Sequence, residues 1–190
     1  SGVGVIAADT GAYAAMIEPD QNGRLVPVGD IDSLTAAIAD LTSAISLALE
    51  LDIDLPHARL QRARIYERDL RDLSSALADY REVMRLAPRE ADAFVAAGRI
   101  LVAQRMVGEA IETLDVAIRL APTAANFAAR AEAKLDAGRL QEARSDFSEA
   151  LQRDPNDAEA HCGLGTVARL LGDPQGAERE HLLAAERNGR

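Results

Sequence analysis

Tryptophan is absent from these 190 residues and cysteine occurs once, at Cys162. A lone thiol cannot close an internal disulfide or build a thiolate metal cluster, so the fold is expected to stand without either staple. A reducing interior, the cytoplasm, is the expected compartment. Aromatic residues make up only 3% of the chain. A core must therefore come from small and aliphatic side chains that let backbones approach closely, which suits stacked helices better than a sandwich. No stretch approaches the roughly 20 apolar residues of a membrane-spanning helix, and the N-terminus lacks the basic start of a secretory signal. Ser1 is not an initiator methionine, so the chain is expected to begin inside a longer gene product or after a removed tag.

Basic stripes are missing as well. The net charge is -10, and its acidity sits at the front: up to residue 56, Arg24 is the sole basic residue, whereas acids and bases nearly balance from residue 57 onward. Binding to nucleic acid or to anionic lipid requires a basic surface, so neither partner is expected.

What the sequence does have is apolar content, 48%, and a period. Ala76, Ala110, Ala143 and Ala177 stand 34, 33 and 34 residues apart. Each follows a turn and is expected to open a second helix. A larger residue comes four positions later, at Tyr80, Leu114, Phe147 or His181. Val83, Ala117, Ala150 or Ala184 comes seven later, and Pro88, Pro122 or Pro155 twelve after the first three. Small residues on a preceding helix, Gly98, Ala131 and Gly165, are expected to face these alanines, because closely crossing helices leave no room for more. The prolines end the second helices, at Leu86-Ala87-Pro88, Leu120-Ala121-Pro122 and Asp154-Pro155-Asn156. Gly138 and Gly172 fall where a first helix must close and reverse, a left-handed position that glycine enters at least strain.

These residues resemble the tetratricopeptide repeat family, most clearly along 129–151. The resemblance covers 57–190, as repeats of about 57–90, 91–123, 124–157 and 158–190. Arg105 replaces the usual turn glycine. Arg62-Ala63 and Tyr66 fit the first repeat only if the turn near Leu70 holds one extra residue. The resemblance implies a mainly α fold, a right-handed α-solenoid of helix hairpins whose first helices line a concave face that holds a peptide or protein. Carried over residue by residue, the groove comprises Gln61, Arg62, Ile65 and Arg68; Val95, Ala96, Arg99 and Val102; Ala128, Ala129, Glu132 and Asp136; and Cys162, Gly163, Thr166 and Arg169. Arg62, Arg99 and Arg169 either pair with carboxylates of a partner or stand as solvated face charges. The family's carboxylate-clamp subclass uses Lys and Asn where this chain has Arg99, Glu132 and Thr166. Glu132 and Asp136 would repel an acidic chaperone tail.

The front reads differently. Gly4-Val5-Ile6-Ala7-Ala8 is a short apolar run of the kind found in buried strands, followed by a brief helical stretch through Ile17. A turn at Asp20-Gln21-Asn22-Gly23 precedes a second strand, Arg24–Val28. Gly29-Asp30 then caps a helix with Leu34, Ile38, Leu41, Ile45 and Leu49 at helical spacing. Residues 1–43 resemble a fragment of the nucleotide-sugar domain of a two-Rossmann (GT-B, family 4) glycosyltransferase. The paired glutamates that hold the donor in that family would precede Ser1, Ala12 and Ala15 stand where it has Gly and Glu, and the acceptor domain is absent. A helix start at Thr10-Gly11 alone is a weak anion site, and Gly2-x-Gly4 lacks the third glycine of a dinucleotide loop. No catalytic residue and no cofactor is therefore expected. Two strands torn from a parallel sheet have open edges, so the segment is expected either to pair them with each other and rest on the first repeat or to be poorly ordered. The helix at about 31–50 is expected to cap that repeat, so the domains read as 1–56 and 57–190.

His161 and His181 take core aromatic positions of the fourth repeat and read as packing residues, so no metal site is expected. Adjacent helix residues point about 100° apart, which denies Cys162 and His161 a nucleophile–base geometry. The apolar surface around Leu182, Leu183 and Ala184 is expected to seek a cover, by self-association or docking. Three uses stay open: an interaction scaffold, the tail of a glycosyltransferase whose repeats recruit acceptors, and an assembly protein that stacks through its open repeats.

Overall fold

The computed structural model describes residues 5–8, 23–26, 31–50 and 55–188. Two strands, β1 (Val5–Ala8) and β2 (Gly23–Val26), pair in parallel with Val5 opposite Gly23 and Ala8 opposite Val26. The front strands thus pair with each other, while the helical stretch through Ile17 and the turn at Asp20–Asn22 lie outside the described residues. Helix α1 (Ile31–Glu50) follows. Its buried residues are Ala37, Leu41 and Ile45, one per turn, with Ile38 half-buried. The side chains of Leu34 and Leu49 are outside the described set.

The remaining helices alternate as first and second members of hairpins: α2 (Pro56–Arg68) with α3 (Leu73–Leu86), α4 (Ala91–Ala103) with α5 (Val107–Leu120), α6 (Ala124–Asp136) with α7 (Leu140–Arg153), and α8 (Ala158–Leu170) with α9 (Pro174–Asn188). The architecture is an α-solenoid of helix hairpins. By its contacts the chain divides into two compact units, Ser1–Ala87 and Pro88–Arg190. The first hairpin thus groups with the front segment rather than with the other three.

Local sequence explains the breaks. Helices α3, α5 and α7 each end two residues before a proline, and the intervening Ala87, Ala121 and Asp154 take extended ψ values of 72°, 99° and 94°. Proline's ring excludes the residue before it from the helical region, so the helix stops there. The reversal inside each hairpin uses one left-handed residue, five before the reference alanine: Arg71 (φ 56°), Arg105 (φ 63°), Gly138 (φ 72°) and Gly172 (φ 84°). Glycine was expected at the last two; the conformation is imposed at all four, and two arginines tolerate it. In hairpins two to four, the residue after the left-handed one donates its N–H to a carbonyl five back, as Met106 does to Leu101, Arg139 to Lys134 and Asp173 to Ala168. In the first hairpin Asp72 reaches six back, to Tyr66. That is the extra residue required near Leu70, and it places Ala63, fully buried, at the small position.

Ala131 shares a core with Ala143, and the two glycines make a further close approach. Gly98 lies under Leu114: a Cβ added there would come within 2.6 Å of Leu114 Cγ. Gly165 lies under His181 in the same way. The larger residue four after the alanine fills the hollow that glycine leaves. Hairpin three packs around Phe127, Ala131, Ala143, Phe147 and Ala150, with Ala160 and Val167 of α8 joining the same core. His161 is buried as expected. His181 is exposed, because no described helix covers the far side of α9. Around the expected apolar end, Leu182 is 61% exposed whereas Ala184 is buried inside its hairpin.

Candidate functional site

Within the unit Pro88–Arg190, α6 touches both α4 and α8, so the three first helices lie side by side and present one continuous inner face. Of the expected groove residues, Val95, Ala96 and Val102 of α4 are half-buried and Ala129 of α6 is buried, whereas Ala128 belongs to the core that holds Phe147 and Ala150 of α7, and Gly163 of α8 sits against the Phe147 ring with no space for a side chain. Thr166 is half-buried and its hydroxyl donates to the Cys162 carbonyl at 3.1 Å. Cys162 and Arg169 are exposed on the same helix.

Charge on this face is organised around Glu132. Arg99 of α4 approaches Glu159 of α8 at 3.8 Å, spanning the width of α6. Packed helices stand 8–10 Å apart, so a pair two helices away closes only where the face is hollow. Half-buried Glu132 lies in the field of this pair: burial pushes its carboxyl above the ordinary value, Arg99 pulls it down, and Glu159, Asp136 and Asp157 push it further up. Asp136 accepts from Arg105 at 3.2 Å at the edge of the face. Glu159 and Asp157 were not among the expected residues; they lie in and before the first turn of α8, ahead of the motif that carried the family positions.

The expected groove residues of α2 belong to the other unit. Gln61 and Ile65 are half-buried and Arg68 is exposed. Arg62 is placed otherwise than expected. Its guanidinium forms two 2.7 Å bonds to Asp79 of α3 and a 2.8 Å bond to Thr42 of α1, leaving the side chain 14% exposed. The bonds to Asp79 hold it above its usual pKa against the opposing effect of burial. Its donors tie three helices together and are not offered to a ligand.

Asp79 marks a feature the sequence reading passed over. Three residues after each reference alanine stands a polar group enclosed between helices: Asp79, Thr113 and Asp146, which are buried, and Glu180, which is half-buried. Asp146 receives Arg130 through two 2.7 Å bonds and Lys134 at 2.8 Å, while Arg130 also reaches Asp115 of α5 at 2.6 Å. Glu180 receives His161 Nδ1 at 2.8 Å. The signal was available as a fourth column of the same period.

Among the described residues no group of three or more His, Cys, Asp or Glu is placed to hold a metal, and no helix is long and apolar enough to cross a membrane. The inner face has no nucleophile beside a base. It offers a floor of small residues and a rim of charge.

A family model described as Tetratricopeptide repeat matches residues 60–125 and 128–190, well over half of the chain. Among solved structures, the chain is similar to a crystal structure of MamA (TM-score 0.74, 16% identity, covering 82% of this chain and 89% of that one). It is similar to MamA from Desulfovibrio magneticus RS-1 (TM-score 0.73, 19% identity, 82% and 86% covered). A thermophilic TPR protein of Thermus thermophilus gives a TM-score of 0.65 at 18% identity, with 83% and 84% covered. At such identities the likeness is one of fold. No curated protein matches the chain significantly.

Proposed function

Because the chain belongs to the tetratricopeptide repeat family, we propose that it is a non-catalytic scaffold that holds a protein or peptide on the inner face of α4, α6 and α8. The observation that carries this reading is the Arg99–Glu159 pair reaching across α6, on a face whose small residues include Ala96 and Ala129. Small floor residues let an extended backbone approach, while Arg99, Glu132, Asp136, Thr166 and Arg169 supply specificity at the rim. The single cysteine suits a cytoplasmic setting, and helix α1 serves as the cap of the first hairpin. Self-association through the open side of α9, where Leu182 is exposed, is a further use of the same fold, and a molar mass that stays constant over a concentration range in light scattering would argue against it.

Cys162 makes a direct test available, being the only cysteine and exposed on the inner face. A photo-crosslinker attached to it should capture a discrete partner. The same reagent on Ser148→Cys in a Cys162→Ser background reports from α7, a second helix. Equal capture from both positions would remove the inner face as the binding site.

A second reading keeps this surface but makes the chain the C-terminal part of a glycosyltransferase. What favours it is the parallel pairing of β1 with β2, since parallel neighbours need a crossover connection of about a dozen residues or more. A nucleotide sugar that raises the thermal midpoint reproducibly would support this second reading.

A further inference from the structure

The fourth hairpin closes on a titratable base where the first and third close on arginine. In the first hairpin Asp79 is held by Arg62, with Arg59 at 3.9 Å; in the third, Asp146 is held by Arg130 and Lys134. In the fourth, Glu180 of α9 is held by His161 of α8, whose side chain is 10% exposed against 14% for Glu180. Both ring nitrogens of His161 face acceptors: Nδ1 meets Glu180 Oε2 at 2.8 Å, and Nε2 meets the Pro155 carbonyl at 3.2 Å. A neutral imidazole carries one N–H and one lone pair, so against an ionised Glu180 one of these contacts sets lone pair against lone pair. Both contacts are made only when the pair carries one proton more, shared between ring and carboxylate.

We propose that the His161–Glu180 pair is a proton-dependent latch on the α8/α9 hairpin, tightening it toward acid and releasing it toward alkaline pH. The other charged groups around the pair are Arg179 and Arg187 on α9, Asp173 before it, Asp157 and Glu159 at the start of α8, Asp154 at the end of α7, and Arg144 of α7, which lines the same hollow as Arg179 and Glu180. Arg179 is bonded to the other oxygen of Glu180 at 3.1 Å, and Arg187 stands one period after Arg153, the cation stacked on Phe127.

The sign follows from proton counting. The closed hairpin binds more protons than the open one, so closure weakens as pH rises, by at most tenfold per pH unit for one proton. A solvated imidazole titrates near about 6.5, so the dependence begins above that pH. Arginine at the equivalent task in hairpins one and three stays charged throughout, which confines the effect to the hairpin at the open side of the stack.

Amide hydrogen exchange of the full chain, corrected for intrinsic rates, reads the latch in place. Protection of α9 should fall several-fold between pH 6.5 and 8, with α6 and α7 unchanged. His161→Arg keeps a cation beside Glu180 and should flatten that response, as should His161→Phe, the residue found at Phe94 and Phe127. His181→Phe alters an exposed ring and should leave the response intact. A pH response in α9 that survives both His161 variants, or a flat profile in the unmodified chain, would overturn the latch.

Discussion

Hairpins two and three share one backbone plan but are closed by opposite chemistries. Between α4 and α5 the buried polar position is Thr113, an uncharged hydroxyl. Between α6 and α7 the same position is Asp146, 6% exposed, holding Arg130 and Lys134. The repeat therefore prescribes where small residues must stand and where one polar group is enclosed, and leaves the chemistry of that enclosure open. Buried ions gain their net stability only from full pairing, so the charged version is sensitive to loss of any member in a way the neutral version is not.

The largest expected effect comes from breaking the charged closure. Asp146→Ala removes the buried acceptor of Lys134 and leaves Arg130 with Asp115 alone, and should cost about 3–5 kcal/mol in urea unfolding. Thr113→Ala, the matched change in hairpin two, should cost no more than about 1 kcal/mol. Equal losses would mean that the two closures are energetically alike. Next in size is Gly98→Ala, whose added Cβ falls 2.6 Å from Leu114 Cγ; overpacking of this kind should cost about 1–3 kcal/mol, read from the same denaturation curves.

Arg105→Gly should sharpen the comparison from the stabilising side. The left-handed turn at φ 63° strains a residue with a Cβ, and the pair it forgoes with Asp136 is 80% exposed on the arginine side, so about 1 kcal/mol should be gained. Gly138→Ala, at φ 72° in hairpin three, should lose a similar amount, and calorimetric midpoints moving in opposite directions would establish the point. The smallest effect concerns Glu132. Because its carboxyl is pushed up in the fold, first by burial, folding takes up protons at this site, and the associated stability is lost as pH rises through the carboxylate range. Glu132→Gln should therefore raise the midpoint at pH 7 by about 1–2 °C and reduce its drift between pH 4 and 7.

The hairpin architecture was legible in the sequence because steric exclusion acts at fixed positions. Ala76, Ala110, Ala143 and Ala177 mark helix crossings, and Pro88, Pro122 and Pro155 mark stops, each through a side chain too small or too rigid to mean much else. The extra residue near Leu70 was legible for the same reason, since Ala63 had to be brought back into register. Of the candidate site, only the small size of Ala128, Ala129 and Gly163 followed from that register, and Ala128 and Gly163 use it to pack with Phe147 of α7. The allocation of charges did not. Arg62 and Arg99 read alike in sequence, yet one is locked to Asp79 and Thr42 and the other spans the hollow to Glu159. Position in the repeat gives the direction in which a side chain leaves its helix. It does not say whether an opposite charge on a helix tens of residues away lies within reach.

The sequence by itself determined the period, the helix ends and the sites of close approach, because backbone sterics and small-residue packing depend on neighbours a few residues away. Tertiary structure decided which acids are enclosed, why Glu132 is perturbed, and why His161 is buried while His181 is exposed. Those outcomes depend on electrostatics and burial, set by distances between helices that are far apart in the chain and defined only once the hairpins stack.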